Sequence, residues 1–541
     1  MKKMILMAVA TLSGLVGSTI QVVHAENFQP INWTEAADLT TLDSSQANDS
    51  VSTEILTQAG QGLYRYGKNH QPEFADAQSV KISDDGLTYT FTLKPNLRWS
   101  NGMPVTAHDY VFGIQQTVNP KNKANGASMA TDIQNATAVT NGTKPATALG
   151  VQALDDRTLV IKLNNPMPSL PSLLTVTSFF PQNQAFVEKQ QGKYGTNAQK
   201  TISNGPFVVK DWNGSSTAYE LDKNQRYVDK ALVKTPKITV QTMTDTTTGY
   251  NLYQTKKVDY TPLSAMQVKA SQHKSDYKTI QTGTTDFLAL NMTQKNLKNQ
   301  NLRLAIRQAI NMKSLAKQVL VGTERQGRSF TPDGVMMNPT TKSDFSCDAQ
   351  LNNKTNQFNP QAAKKYFKEA QQSLHKKGIQ LTLLSDNGTQ SRNEAQYIQN
   401  QLETHLTGLK VTIKSEPKAA RIKAQLAHEF DMVLTSWGGE DADATAFLDM
   451  FKSDSGLNIV KFNNVTYDRA LNKAATVDAM NSKKRYQDLV QADKILQQQA
   501  PVVTLGYKSV PALIRQDIKG LTVNTVGVTF DFKTAYKKTN D

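Results

Sequence analysis

Within eight residues, Ser436-Trp437-Gly438-Gly439-Glu440-Asp441-Ala442-Asp443, the chain gathers three carboxylates, two glycines and an indole. Glycine lets a ligand approach main chain closely. The indole offers a large apolar wall, and the carboxylates offer negative charge to a cation. The same residues also fit a solvated, acidic helix N-terminus with Trp437 plugging a core. Asp441 and Asp443 stand two apart and mimic an acid–base pair, but no further partner accompanies them, so they read as a charged loop. Other catalytic parts are missing: G-x-S-x-G, H-E-x-x-H, G-x-x-x-x-G-K-[ST] and G-x-G-x-x-G do not occur. The seven histidines are scattered without metal-ligand spacing. The one cysteine, Cys347, excludes an internal disulfide and has no His/Asn constellation. No enzyme, cofactor or metal is expected.

The acidic segment follows an apolar run, Phe430–Thr435, read as a strand. It closes a series: strand Ile379–Leu384, helix around 393–406, strand Leu409–Ile413, helix around 419–428, then this strand. Three strands alternating with helices make a βαβαβ unit, and open α/β sheets bind ligands beyond the carboxyl ends of their strands. Upstream, Leu302, Ala305, Ile306, Ala309 and Ile310 fall on one helical face. Downstream, a long helix at 482–499 leads to a last strand, Val502–Tyr507. The first half reads differently. Strands are expected at Ile31–Trp33, Thr88–Lys94, Thr158–Leu163, Phe207–Lys210, Ala218–Asp222 and Ile238–Thr242, with an apolar segment from Val51 to Leu63. In the strand at 88–94, Tyr89, Phe91 and Leu93 alternate with polar residues, the mark of a half-buried strand. Thr106 stands three residues before Asp109, a capping-box spacing that opens a helix near Ala107.

At 541 residues the chain is too long for one core, and two or three domains are expected. Lys2-Lys3, the apolar run Met4–Val16 and Val23-His24-Ala25 make a secretory signal peptide over residues 1–25, cut before Glu26. The formal charge of +15, less the two leader lysines, leaves +13. Basic residues are spread without a nucleic-acid motif, so no nucleic-acid partner is expected; anionic cell-wall polymers are candidate partners.

One stretch carries a family signature. Asp85-Gly86…Thr88-Tyr89-Thr90-Phe91…Leu93-Lys94…Trp99-Ser100-Asn101-Gly102…Pro104-Val105-Thr106-Ala107…Asp109 resembles the peptide-type extracellular solute-binding proteins, family 5, of ABC importers. Three further blocks resemble the same family in the same order. They are Ser203-Asn204-Gly205-Pro206-Phe207 with Trp212, then Leu288-Ala289-Leu290-Asn291 with Leu302–Asn311, then Trp437 with Thr445–Leu448 and Asn463–Asp468. The resemblance covers essentially all of 26–541 and is strongest to oligopeptide-binding proteins.

The resemblance implies a two-lobed, three-domain periplasmic-binding-protein-like α/β fold of type II, with mixed sheets. Domain I would be discontinuous, 26–66 with 201–283 and 509–541; domain II would be 67–200 and domain III 284–508. The lobes would hinge near Gly283–Thr285 and Leu505–Lys508. It implies a monomer that captures an extended oligopeptide between the lobes and delivers it to the membrane permease of an ABC transporter. Peptide main chain would pair with Asn48, Asp49, Ser50 and Val51 on one side and with Thr435, Ser436, Trp437, Gly438 and Gly439 on the other. The ligand's terminal amine would meet Glu440, with Asp441 beside it. Related binders carry an aspartate at the position of Glu440, and Ala444 replaces a family proline. Leu15-Val16-Gly17-Ser18 puts serine where a lipid-modified cysteine would stand, implying a protein secreted from a single-membrane bacterium without a lipid anchor. A receptor for one ligand, such as a signalling peptide or haem, and an unanchored adhesion or chaperone-like protein are the alternatives.

Overall fold

The computed structural model describes residues 28–67, 71–351, 358–439 and 441–538. The leader with Ser18, the cleavage position before Glu26, and Glu440 lie outside them. Strand β1 (Ile31–Glu35) is followed by helix α1 (Ser50–Ala59), whose cap Asp49 accepts the Ser52 N–H. The apolar segment expected from Val51 onward is thus helical up to Ala59, after which Gly60 ends it.

The family-signature stretch forms a sheet and the helix that covers it. Strands β2 (Ala77–Ile82), β3 (Thr88–Leu93), β4 (Val151–Asp155) and β5 (Thr158–Lys162) are antiparallel in the order β2-β3-β5-β4. Tyr89, Phe91 and Leu93 point inward, as their alternation requires. Helix α2 (Ala107–Val118) begins at Thr106 with the capping box closed by Asp109. Asp109 also accepts from Asn183 Nδ2 at 3.1 Å, so the cap ties α2 to the chain beyond the sheet. Trp99 is buried in this core, which draws on residues 63–179.

Strands β6 (Phe207–Lys210), β7 (Ala218–Lys223) and β8 (Lys237–Thr242) join β1 in a four-stranded sheet, order β1-β8-β7-β6, in which only the β1–β8 pair is parallel. Its core takes residues from 31–59, 207–280 and 512–535.

The remaining strands build the largest sheet. They are β9 (Tyr260–Pro262), β10 (Tyr277–Leu290), β11 (Glu324–Arg325), β12 (Ile379–Asp386), β13 (Leu409–Glu416), β14 (Met432–Gly438) and β15 (Val502–Ile514). The order is β9-β15-β10-β14-β12-β13, with β11 on β15. Helices α3 (Gln300–Ala309), α4 (Pro360–Leu374), α5 (Thr389–His405) and α6 (Lys418–Leu426) pack with these strands, and α7 (Val465–Ala475) and α8 (Ser482–Gln499) help enclose a second core. Strands β12, β13 and β14 pair parallel, as a βαβαβ unit must.

Of the strand limits that differ from expectation, two bear on the site. The last strand runs to Ile514 rather than Tyr507, because β10 offers partners along 277–289. The strand expected at 430–435 spans 432–438, because Thr284, Thr285 and Asp286 pair with Gly438, Trp437 and Ser436. The β10–β15 register shifts between Gln281 and Thr285, where Gly283 has φ +56° and a Cβ would lie 2.5 Å from the Thr525 carbonyl oxygen. Glycine is required there by both conformation and space.

Candidate functional site

Strand β14 leaves one edge unpaired. On one side it pairs with β10 throughout its length; on the other it meets β12 only at Met432 and Val433. Strand β12 was entered first and its neighbours β13 and β14 lie on opposite sides, so this divergence is the switch point of the βαβαβ unit, where ligands bind in open sheets. From Leu434 to Gly438, main-chain groups on that edge have no strand partner among the described residues, an arrangement that accepts an added strand. Side chains brace the edge without covering it. Arg421, buried on α6, donates from Nη1 to Thr435 Oγ1 at 3.0 Å and from Nε to Asp386 Oδ1 at 2.9 Å. Lys508 reaches Ser436 Oγ at 3.3 Å and Asp286 at 3.1 Å. Ser436 and Gly438 are exposed, while Thr435, Trp437 and Gly439 are half-buried.

Trp437 serves as a plug. Its ring packs on the core of α8 and its neighbours, and its indole N–H donates to the Ala446 carbonyl at 2.7 Å. Asp443 is not part of a solvated loop, contrary to the sequence reading. It is buried and accepts two bonds from Arg485, at 2.7 and 2.9 Å, and two from Thr445. Burial alone would raise its pKa, but the guanidinium and the Thr445 donors outweigh burial and hold the carboxyl below its ordinary value. An arginine forty-two residues away could not be read from spacing. Asp441 is half-buried. Next to it, the Ala442 N–H donates to Ser172 Oγ at 2.7 Å, and Ser172 shares a 2.6 Å hydrogen bond with Tyr66. The acidic loop is therefore fastened to helix α8 through Arg485 and to Ser172, itself held by Tyr66.

A cavity of about 510 Å³ opens beside Gly439. Its walls are the start of α1 (47–57), residues 61–66, 126–129, 175–180 and 524–531. Asn48, Asp49 and Ser50 line it, and Val51 is buried behind them. Here the geometry departs from a strand-like edge: Asp49 caps α1 and Ser50 and Val51 are its first turn, so this segment presents a helix N-terminus. Asp49 also accepts from Thr40 Oγ1 at 2.6 Å. Burial works against its charge, but these donors dominate and its pKa falls below the ordinary value.

Apart from Asp49, charge on the cavity walls is paired or suppressed. Arg65 and Asp531 form a buried two-bond pair, one bond at 2.8 Å. Burial, reinforced by Glu35, pushes the Glu54 carboxyl well up, and burial raises Glu35 itself to about 8, so the charged form of both is disfavoured. Sequence spacing gave no hint of 175–180 or 524–531, nor of Arg65 and Tyr66, whose partners Asp531 and Ser172 lie more than a hundred residues away. A second groove of about 720 Å³ runs along 278–281 and 514–525 and shares Asn524 with the first.

Residues 71–458 match the bacterial extracellular solute-binding proteins, family 5 (middle region), and the chain belongs to that family of binding proteins. It is 30% identical over 555 residues to a dipeptide-binding protein of Lactococcus lactis subsp. cremoris, covering 99% of this chain and 100% of that one. Among solved structures it is similar to peptide-bound OppA of Listeria monocytogenes, with 32% identity, TM-score 0.70, and coverage of 95% and 99%. It is also similar to the unliganded open form of MppA, a periplasmic murein tripeptide-binding protein, with 26% identity, TM-score 0.83, and coverage of 95% and 98%. The fold is the mixed α/β fold of these binding proteins.

Proposed function

We propose that the protein is the extracellular peptide-binding component of an ABC importer, taking extended oligopeptides into the cleft between the edge of β14 and the start of α1. The unpaired edge from Leu434 to Gly438 carries this reading. Main-chain pairing gives affinity without reading sequence, and the neutralised walls of the adjoining cavity suit varied side chains with water filling the remainder. Domain I (26–66, 201–283, 509–541) with domain II (67–200) would form one lobe and domain III (284–508) the other. They would close about the register shift near Gly283 and its neighbour near Lys508. The closed, peptide-loaded form would be the one the permease recognises.

Glu440, with Asp441 beside it, would hold the ligand's terminal amine. A charge-assisted hydrogen bond contributes ~1.5–3 kcal/mol, so an N-acetylated peptide should bind roughly ten- to a hundredfold more weakly, and Glu440→Gln should abolish the difference. Equal affinity for free and acetylated peptides in the native protein refutes this role. The leader over 1–25 would direct export, with Ser18 leaving retention to charge: the +13 mature chain would be held by anionic wall polymers and released by salt.

Native mass spectrometry of the purified protein, before and after a denaturing wash and refolding, tests the main reading. A ladder of adducts differing by amino-acid residues, lost on washing and restored by peptides, is expected. A protein that ignores an added peptide mixture refutes it.

A further inference from the structure

The positive charge is unevenly distributed. Residues 284–508 hold 30 of the 61 lysines and arginines but only 21 of the 46 acidic residues, an excess of nine. Much of it is exposed around one helix. Lys364, Lys365 and Lys368 lie exposed on α4, Lys376 and Lys377 follow it, and Lys295 and Lys298 precede the neighbouring helix α3. Contacts bring these segments together: Asn299 Nδ2 donates to Ser373 Oγ at 3.1 Å, and Lys376 Nζ to Asn296 Oδ1 at 2.9 Å. Among the described residues, no carboxylate stands within ion-pair distance of any of the seven lysines, whereas Lys237, Lys473, Lys533 and Lys537 elsewhere are all paired.

On α4, Ala363, Phe367 and Ala370 face the core. At 100° per residue, Lys364, Lys365 and Lys368 then share the outer face with Gln361 and Gln372. Lys364–Lys368 and Lys365–Lys368 are like-charge pairs at i,i+4 and i,i+3, which oppose the helix; half-buried Glu369, i,i+4 from Lys365, is the one acidic residue of α4, so the face keeps a net positive charge. The field reaches a neighbour: the His405 pKa is lowered, first by burial and then by Lys364.

We infer that the outer face of α4, with the flanking lysines of 295–298 and 376–377, is a docking surface for a linear polyanion with repeated phosphates, a polyol-phosphate polymer of the cell wall. This rests on the proposed charge retention and assigns it a location. All seven cations are lysines. Lysine is a compact, strongly hydrated point charge, suited to a salt-screened attraction along a chain, while paired recognition of one anion favours arginine. A lipid surface fits less well, because among the described residues no large apolar side chain is exposed on this face to enter a bilayer. None of the seven lines the cavity beside Gly439, so polymer and peptide bind together.

The test uses the mature protein and soluble polyglycerol phosphate, with affinity measured across a salt series. Lys364→Gln/Lys365→Gln/Lys368→Gln should weaken binding and make the slope of log affinity against log salt shallower by about 2, the value for three lost phosphate contacts on a flexible strand. Peptide affinity, unchanged in the variant, reports that it is folded. Lys256→Gln/Lys257→Gln/Lys269→Gln removes the same charge from exposed positions elsewhere and should have little effect. If both variants weaken binding equally, net charge rather than this face is responsible and the inference fails. Tighter binding to phosphatidylglycerol vesicles or to duplex DNA at equal phosphate also overturns it. Native protein that does not bind the polymer overturns the retention reading itself; peptide binding stands apart from either result.

Discussion

Replacing Arg485 by methionine isolates the device that holds the acidic loop. Arg485 and Asp443 are each about 7% exposed at the side chain and share two hydrogen bonds of 2.7 and 2.9 Å. Methionine keeps the aliphatic bulk and removes the charge, leaving a buried carboxylate with only the Thr445 donors. Breaking one side of a buried pair costs about 3–5 kcal/mol, whereas replacing both partners by apolar residues is close to neutral. Arg485→Met should therefore lower the urea midpoint clearly, and Asp443→Leu/Arg485→Met should recover most of the loss. Peptide affinity should fall in the single variant, since the segment after Gly439 loses its anchor. The pH dependence has a definite sign. The folded pKa of Asp443 is depressed, so the pair's contribution is present above the ordinary value of 3.8 and is lost as pH falls through the folded value. The gap between native protein and Arg485→Met should close in acid. A cost below about 1 kcal/mol at neutral pH, the scale of an exposed pair, would refute the reasoning.

Glu394 is buried near Asp286 and its pKa is raised to about 8, first by burial and then by Asp286. A carboxyl raised on folding contributes fully below its ordinary value of 4.5 and loses that contribution as pH rises through about 8. Glu394→Gln should therefore flatten the fall in stability between pH 4.5 and about 8, by on the order of a few kcal/mol, measured by denaturation at several pH values. Trp33, Trp99 and Trp212 are at most 2% exposed, so Trp437 alone among the four tryptophans can sense a ligand in the cleft. Peptide should change the native fluorescence spectrum and leave that of Trp437→Phe unchanged; a persistent signal would place the response elsewhere. Gly283→Ala combines a positive φ with a carbonyl oxygen 2.5 Å from the new Cβ. It should cost at least ~1–2 kcal/mol and alter the drop in radius of gyration that peptide produces in X-ray scattering; native-like closure would remove Gly283 from the hinge.

Local patterns were legible wherever short-range physics decides. The alternation of Tyr89, Phe91 and Leu93, the Thr106–Asp109 capping box and the apolar face of α3 each follow from side-chain periodicity within one or two turns, and each appears in the structure. The four family blocks extended that reading to the whole chain, because they fix an order of elements that periodicity leaves open. Contacts between distant segments were not legible. Strand β14 reaches Gly438 because β10, a hundred and fifty residues earlier, runs alongside it, and its edge is open because β12 diverges after Val433. Arg485 turned a charged loop residue into a buried anchor, and Arg65 with Asp531 neutralised a cavity wall across more than four hundred residues. The sequence alone determined the binding class, the local elements and the absence of catalytic motifs. The tertiary structure decided which backbone edge stays unpaired and which charges are cancelled, since pairing and burial depend on what other parts of the chain bring into contact.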